Sequence, residues 1–230
     1  MNIFKQIHVR YFFIFISVVF CGGMFFVSAQ QSSARLTSSE ISGQHKNIYA
    51  IFANDNTRGN TQGFFNAATG QMVADGHSVD ILKLYDRAAE IPFFKHDRAY
   101  LESHPFYLEN KERFLGSDVL LIVFPVYWYG VPAILKAWID MIQGWAYNYQ
   151  SGRYAEPLHN VKKVIILYSC AQVNEMKALG KHTPVEEQLL ETFKFIGISD
   201  IEFYGVDNVY DVSAQDMSKH LAAIQKVCQI

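Results

Sequence analysis

Asp118 to Tyr149 reads DVLLIVFPVYWYGVPAILKAWIDMIQGWAYNY. Its first part, Val119 to Phe124, is six apolar residues closed by Pro125. The run is too short for a helix of its own, and it does not alternate. That pattern marks a strand covered on both faces, as in a parallel sheet. Pro132 suits a helix start, where a missing N–H costs nothing. Ile134, Trp138, Met141, Ile142 and Trp145 then recur at helical spacing, with Lys136 and Asp140 on another face. Between strand and helix stand Val126, Tyr127, Trp128, Tyr129 and Gly130. Three aromatics at the carboxyl end of a central strand occupy the place where open α/β sheets bind ligands.

Working outward, strands and helices alternate along the chain. Ile48 to Ala53 reads as a buried strand, followed by a polar loop, Asn54 to Thr61, and a helix to about Asp75. That loop offers hydroxyls, amides, the Arg58 cation and free backbone N–H groups just before a helix N-terminus. Such a place binds phosphate, although an ordinary polar loop has the same composition. Val79 to Leu84 reads as a second strand, Tyr85 to His104 shows no period, and Leu108 to Leu115 reads as a short helix. Beyond a polar connection, Gln150 to Asn160, a further strand spans Val161 to Tyr168. Thr183-Pro184-Val185-Glu186 is a capping box whose helix runs to about Ile196 and stops at Gly197. Ile201 to Gly205 is the last strand, and Ser213 to Asp216 caps a final helix striped by Met217, Leu221, Ile224 and Cys228. Five alternations predict a doubly wound, five-stranded parallel sheet between two helical layers.

Length and charge agree with one α/β domain. The chain has 230 residues, enough for a full core, and a net charge of −2, which gives no reason to expect a nucleic-acid partner. Cys21, Cys170 and Cys228 are too scattered for a metal site or a disulfide framework, and His96, His104 and His159 share no ligand spacing. Cys170 sits in a site-side loop with no base beside it in sequence, so an inert thiol is the simpler reading.

Residues 1–29 stand apart. Lys5 and Arg10 precede an apolar run, Tyr11 to Val27, and Val27-Ser28-Ala29 fits a cleavage site for a secretory signal peptide. An uncleaved membrane anchor and a true start near Met24 are the alternatives. The signal peptide and the anchor both place the domain outside the cytoplasm, in the periplasm or an equivalent space, with the anchor keeping it near the inner membrane. Residues 30–45 are rich in Ser and Gln and read as a flexible tether, leaving 46–230 as the folded domain.

The stretch Phe124-Pro125-Val126-Tyr127-Trp128-Tyr129-Gly130-Val131-Pro132-Ala133-Ile134-Leu135-Lys136-Ala137-Trp138-Ile139-Asp140, continued by Trp145-Ala146-Tyr147, resembles the flavodoxin-like NAD(P)H:quinone oxidoreductases, including the small reductases that accompany potassium-efflux systems. A weaker likeness runs from Ala53 to Tyr85. The resemblance implies a flavin enzyme in which NAD(P)H gives a hydride to the flavin and leaves, and a quinone-like acceptor then takes two electrons. It assigns Pro125, Val126, Tyr127, Trp128 and Tyr129 to the flavin ring, Asn54, Arg58, Asn60 and Thr61 to the phosphate loop, and Ser169, Cys170, Ala171 and Gln172 to the loop after the next strand. Tyr147 and Tyr149 match positions facing the nicotinamide or quinone. Lys177 and His182 fall near positions that stabilise reduced flavin, where a cation favours the anionic form; as solvated loop residues they carry no such role. Asn54 stands where the family has His, and Gly59-Asn60-Thr61 is similar to FMN-binding flavodoxins, so FMN and FAD both stay open. The resemblance also implies a homodimer with sites at its interface. An exported electron-transfer flavoprotein docking on a membrane redox partner is the alternative function.

Overall fold

The computed structural model describes residues 44–148, 156–172, 177 and 179–230. The signal or anchor segment, most of the tether, and Tyr149 therefore lie outside the described residues.

The chain order is β1 (Asn47–Phe52), α1 (Asn60–Ala74), β2 (Ser78–Lys83), α2 (Arg98–Ser103), α3 (Pro105–Leu115), β3 (Val119–Pro125), α4 (Ala133–Ile142), β4 (Tyr147–Asn148), β5 (Glu156–Pro157), β6 (Lys163–Ser169), α5 (Pro184–Phe195), β7 (Asp200–Val206) and α6 (Ala214–Val227). Among the described residues, five strands form one sheet in the order β2-β1-β3-β6-β7. Every neighbouring pair in it is parallel. This is the predicted doubly wound sheet.

The apolar runs are explained by which side each residue faces. Successive strand side chains point to opposite faces. Ile48, Ala50, Phe52, Val119, Leu121, Val123, Ile165 and Leu167 share one core with Phe64, Phe65, Ala68 and Met72 of α1 and Ile224 of α6. Tyr49, Ile51, Leu120, Ile122, Phe124, Val164, Ile166 and Tyr168 share the other with side chains of α3, α4 and α5. A strand with helices on both faces has no solvated side, so it cannot alternate. Burial of each Leu, Ile, Val or Phe contributes about 1.5–3 kcal/mol before entropy is charged against it. The predicted α4 stripe holds: Trp138, Met141, Ile142 and Trp145 are buried, while Lys136 pairs with Asp140 one turn on.

Local signals set the helix ends. Thr183 Oγ1 accepts from Glu186 N, and Glu186 Oε2 accepts from Thr183 N at 2.8 Å, closing the capping box of α5. Gly197 follows this helix with φ +92°, a conformation that a side chain resists. Ser213 Oγ accepts from Asp216 N at the start of α6. Pro132 stands just outside α4 rather than in its first turn, and its carbonyl accepts from Lys136 N at 3.0 Å.

The structure corrects the sequence reading in three places. The stretch from Tyr85 to His104 is partly helical, with a 3-10 segment at Tyr85–Glu90 and the helix α2. Its apolar anchors are scattered rather than periodic: Leu101 is buried, Ile91, Phe94 and Tyr100 pack on the core, and Arg87 bridges Glu90 and Glu109 and lies 5.2 Å from the Phe106 ring. The second place is the connection after Tyr149, where Glu156–Pro157 pairs antiparallel with Tyr147–Asn148. Two-residue strands are too short to show a period. The third helix also begins earlier than predicted, at Pro105.

Candidate functional site

The carboxyl ends of β1, β3 and β6 lie side by side, because these strands are adjacent and in register. Over them opens a pocket of about 240 Å³ lined by Asn54, Asp55, Asn56, Gly59, Asn60, Thr61, Pro125, Tyr127, Ser169, Val209 and Tyr210. Six residues expected from the sequence thus meet there: Asn54, Asn60, Thr61, Pro125, Tyr127 and Ser169. Among the described residues, two larger clefts lie elsewhere, one between α4 and α5 and one beside Phe94 to Arg98. Neither gathers the loops that follow the strands.

The loop after β1 folds on its own side chains. Asn54 Oδ1 accepts from Asn56 N at 3.2 Å, and Asn56 Oδ1 accepts from Arg58 N at 3.0 Å. Gly59 is the N-cap of α1, and a Cβ there would come within 2.9 Å of Asn56 Nδ2. The first turn of α1 carries no acidic residue, so no side-chain carboxylate there competes with an anion for the positive end of the helix dipole. The Thr61 hydroxyl lies 2.7 Å from the Ser169 hydroxyl, tying the helix start to the end of β6. Asn60 Nδ2 donates to Val209 O at 3.0 Å. The donor set is neutral amides and hydroxyls, with exposed Asp55 opposing an anion and exposed Arg58 drawing one.

The aromatic turn is a two-residue reversal. Tyr127 and Gly130 exchange both backbone hydrogen bonds, N to O at 3.0 and 2.9 Å. The central residues, Trp128 and Tyr129, have φ of +50° and +62°. Side chains adopt this region at a cost, and such strain concentrates at functional sites. The turn leaves Trp128 97% exposed. Val126 N donates to Ser169 O at 2.8 Å, which pins the turn to β6. Burial, helped by Asp55 and Tyr210, raises the pKa of Tyr127. Burial, with Tyr127 and Asp55, does the same for Tyr85. Both stay neutral hydroxyls at ordinary pH.

Other expected residues are placed differently. Arg58, Trp128, Tyr129, Ala171 and Gln172 are exposed beside the pocket and do not line it. Cys170 joins the strand ends through its backbone: its N donates to Val206 O, and its O accepts from Val209 N. Tyr147 stands on β4 with its ring edge-on to Phe195 at 5.1 Å, lining the two larger clefts. The Lys177 ammonium bonds Gly205 O at 3.0 Å. His182 Nδ1 lies 3.7 Å from Glu186 Oε2. Neither lines the pocket. Val209 and Tyr210 do line it, and sequence reasoning missed them. They follow the fifth strand of the sheet and carry no motif of their own.

A family model described as flavodoxin-like fold matches residues 46–228. The chain belongs to the flavodoxin-like fold family. Among curated relatives of this flavodoxin-like chain, the FMN-dependent NADH:quinone oxidoreductase 1 of Pseudomonas syringae pv. tomato is 38% identical over 94 residues, 40% of this chain and 45% of that one. The FMN-dependent NADH:quinone oxidoreductase of Thiobacillus denitrificans is 31% identical over 114 residues, 48% of this chain and 54% of that one. The chain thus spans about half the length of the curated relatives it matches. Among solved structures, an NAD(P)H:quinone oxidoreductase from Methanothermobacter marburgensis superposes with a TM-score of 0.64 at 17% identity, covering 81% of this chain and 96% of that one. At that identity the likeness speaks for the flavodoxin-like fold alone.

One prediction arises at the turn. Trp128→Gly removes an exposed ring and relieves a left-handed backbone, so it should leave stability unchanged or raise it by up to about 1 kcal/mol. If the ring stacks on a flat ligand, flavin retention falls in the same variant. If the flavin reading proposed below holds, opposite movements of melting temperature and flavin affinity are the expected result. Unchanged affinity would remove Trp128 from the site.

Proposed function

We propose that this protein is an FMN-dependent reductase that passes two electrons from NADH to a quinone-like acceptor. One observation carries the reading: the pocket beyond β1, β3 and β6 joins a helix N-terminus and neutral donors to an aromatic turn. A phosphorylated flavin needs both halves, a phosphate cradle and a flat apolar bed. Asn54, Asn56, Asn60, Thr61 and Ser169 suit the phosphate end, and Pro125, Tyr127 and Trp128 suit the ring end. The names of the curated relatives favour FMN over FAD and NADH as donor.

Bound FMN would supply the hydride chemistry, taking it from NADH and giving it to the acceptor in a ping-pong order. The chain's own part is orientation. Residues at the start of α1 would hold the phosphate through N–H groups and hydroxyls, and the aromatic turn would orient the ring. Neutral Tyr127 and Tyr85 add hydroxyls without adding charge.

The test is purification, release of the cofactor, and its mass and absorption spectrum, followed by NADH oxidation with and without a quinone. A yellow protein carrying FMN, with NADH oxidation that rises when quinone is added, is expected. Failure of the apo chain to bind FMN at tens of micromolar would overturn the reading.

Two further parts belong to the proposal. The working unit is a homodimer, with the cleft of α4 and α5, lined by Tyr147 and half-exposed Phe195, as its contact surface. A monomer mass by light scattering in fully active protein would sink it. The domain is exported, on the strength of the basic start and apolar run of residues 1–29. A reporter fusion that stays in the cytoplasm would sink that.

A further inference from the structure

We infer that Lys177 is a positioning residue: its ammonium ties the end of β6 to the end of β7 and the residue that follows it, and so holds the Val209–Tyr210 wall of the pocket in place. Three contacts converge on it. Lys177 Nζ donates to Gly205 O at 3.0 Å, lies 3.4 Å from Asp207 Oδ1, and sits 4.7 Å from the centre of the Tyr168 ring. Gly205 is in β7, and Asp207 immediately follows it. Tyr168 is in β6, one residue before Ser169 of the pocket. The Lys177 side chain is 28% exposed and the Asp207 side chain 19%, so the ion pair is partly shielded from water. Ion pairs so placed are screened less than those at the open surface.

The segment the latch acts on needs holding. Asn208 has φ +49°, so the chain turns sharply there. Asp211 N donates to Asn208 O at 2.9 Å, closing a turn that presents Tyr210 82% exposed at the pocket rim. Backbone bonds continue the seam: Cys170 N to Val206 O at 2.8 Å, Val209 N to Cys170 O at 3.0 Å. Val209 O in turn accepts from Asn60 Nδ2 at the start of α1. The path from Lys177 to the phosphate end of the pocket therefore runs Asp207, Val209, Asn60. The cation is spent on loop geometry, and it acts on the ligand only through that geometry.

The test uses the full folded domain with Lys177→Met, Lys177→Arg and Asp207→Asn. The first arm is hydrogen exchange of the ligand-free protein and stands without any ligand. In Lys177→Met the amides of Val209 and Cys170 should lose about tenfold of their protection, while amides of β1 and β3 keep theirs. The second arm rests on the FMN reading: FMN affinity should fall about three- to tenfold in Lys177→Met and Asp207→Asn, and recover in Lys177→Arg. Wild-type protection at Val209 and Cys170 in Lys177→Met would overturn the latch. So would FMN binding that weakens equally in Lys177→Met and Lys177→Arg. A wild-type chain that binds no FMN overturns the functional proposal and leaves the exchange arm to decide the latch.

Discussion

Gly205→Ala is expected to cost at least about 3 kcal/mol of stability, the largest loss for one added methyl in this sheet. Tyr168 and Gly205 are directly opposed across β6 and β7. The Tyr168 ring lies over the glycine: an added Cβ would overlap ring atoms Cζ and Cε2 and stand 2.5 Å from the hydroxyl. An aromatic laid across a strand glycine is a stabilising cross-strand device, and it works only while the glycine stays bare. The ring cannot swing aside cheaply. Its hydroxyl donates to Glu186 Oε1 at 2.7 Å in a buried bond, and its face stacks near Phe124 at 6.1 Å. Burial, reinforced by the Glu186 bond, raises the pKa of this hydroxyl far above its ordinary value, so it remains a donor throughout ordinary pH. Moving it leaves one oxygen of the buried Glu186 side chain without its partner, which adds about 1–3 kcal/mol to the overlap. Urea melts of Gly205→Ala, Tyr168→Phe and Tyr168→Ala, with Gly205→Ala/Tyr168→Ala as the double variant, measure this. Tyr168→Phe isolates the hydrogen bond. The double variant should lose less than the two alanine variants combined, since the clash is gone. A Gly205→Ala protein within about 0.5 kcal/mol of wild type would show that the ring does not occupy this place.

On the proposed FMN function, Thr61→Val is expected to weaken FMN binding by about ten- to a hundredfold, the worth of one hydrogen bond to a charged group. Thr61 is in the first turn of α1, 5% exposed, with its hydroxyl 2.7 Å from that of Ser169. Valine keeps the shape and removes the hydroxyl. The anion loses one donor directly, and Ser169 loses the partner that orients it. Fluorescence titration of the apo protein with FMN and with riboflavin separates the causes. A loss at the phosphate end spares riboflavin, which has no phosphate, and Thr61→Ser should restore most of the FMN affinity. Equal loss for both flavins, or FMN affinity within twofold of wild type, would remove Thr61 from the phosphate end.

Much of this architecture was legible before any coordinates. Continuous apolar runs from Ile48, Val119 and Val164 announce strands buried on both faces, because no face is left for polar residues. Thr183-Pro184-Val185-Glu186 and Gly197 mark the ends of α5, because capping chemistry is local and needs only neighbours in sequence. The α4 stripe was equally plain, since one buried helix face repeats every three or four residues. Six pocket residues could also be named: the loop after Ala53 and the aromatic turn stand beyond strand ends, where open α/β sheets bind ligands, and the individual positions came from the family resemblance.

What only the tertiary structure decided involves contacts distant in sequence. The helix between Arg98 and Ser103 has no apolar period, and the 3-10 segment before it is held by Arg87 reaching Glu109 on α3. Val209 and Tyr210 carry no motif; they line the pocket because β7 pairs with β6 and Asn60 reaches across to Val209. Lys177 read as a cation for the ligand, yet its charge is committed to Gly205 and Asp207, about thirty residues further on. Gly205 gave no sign in sequence that a tyrosine 37 residues earlier would lie across it. Backbone propensity, capping and burial period are written in adjacent residues, so the chain alone determined the five strands of the main sheet, the longer helices and their order. A side chain's partner across the sheet depends on register and on the path of every connection between, and only the folded sheet settles it.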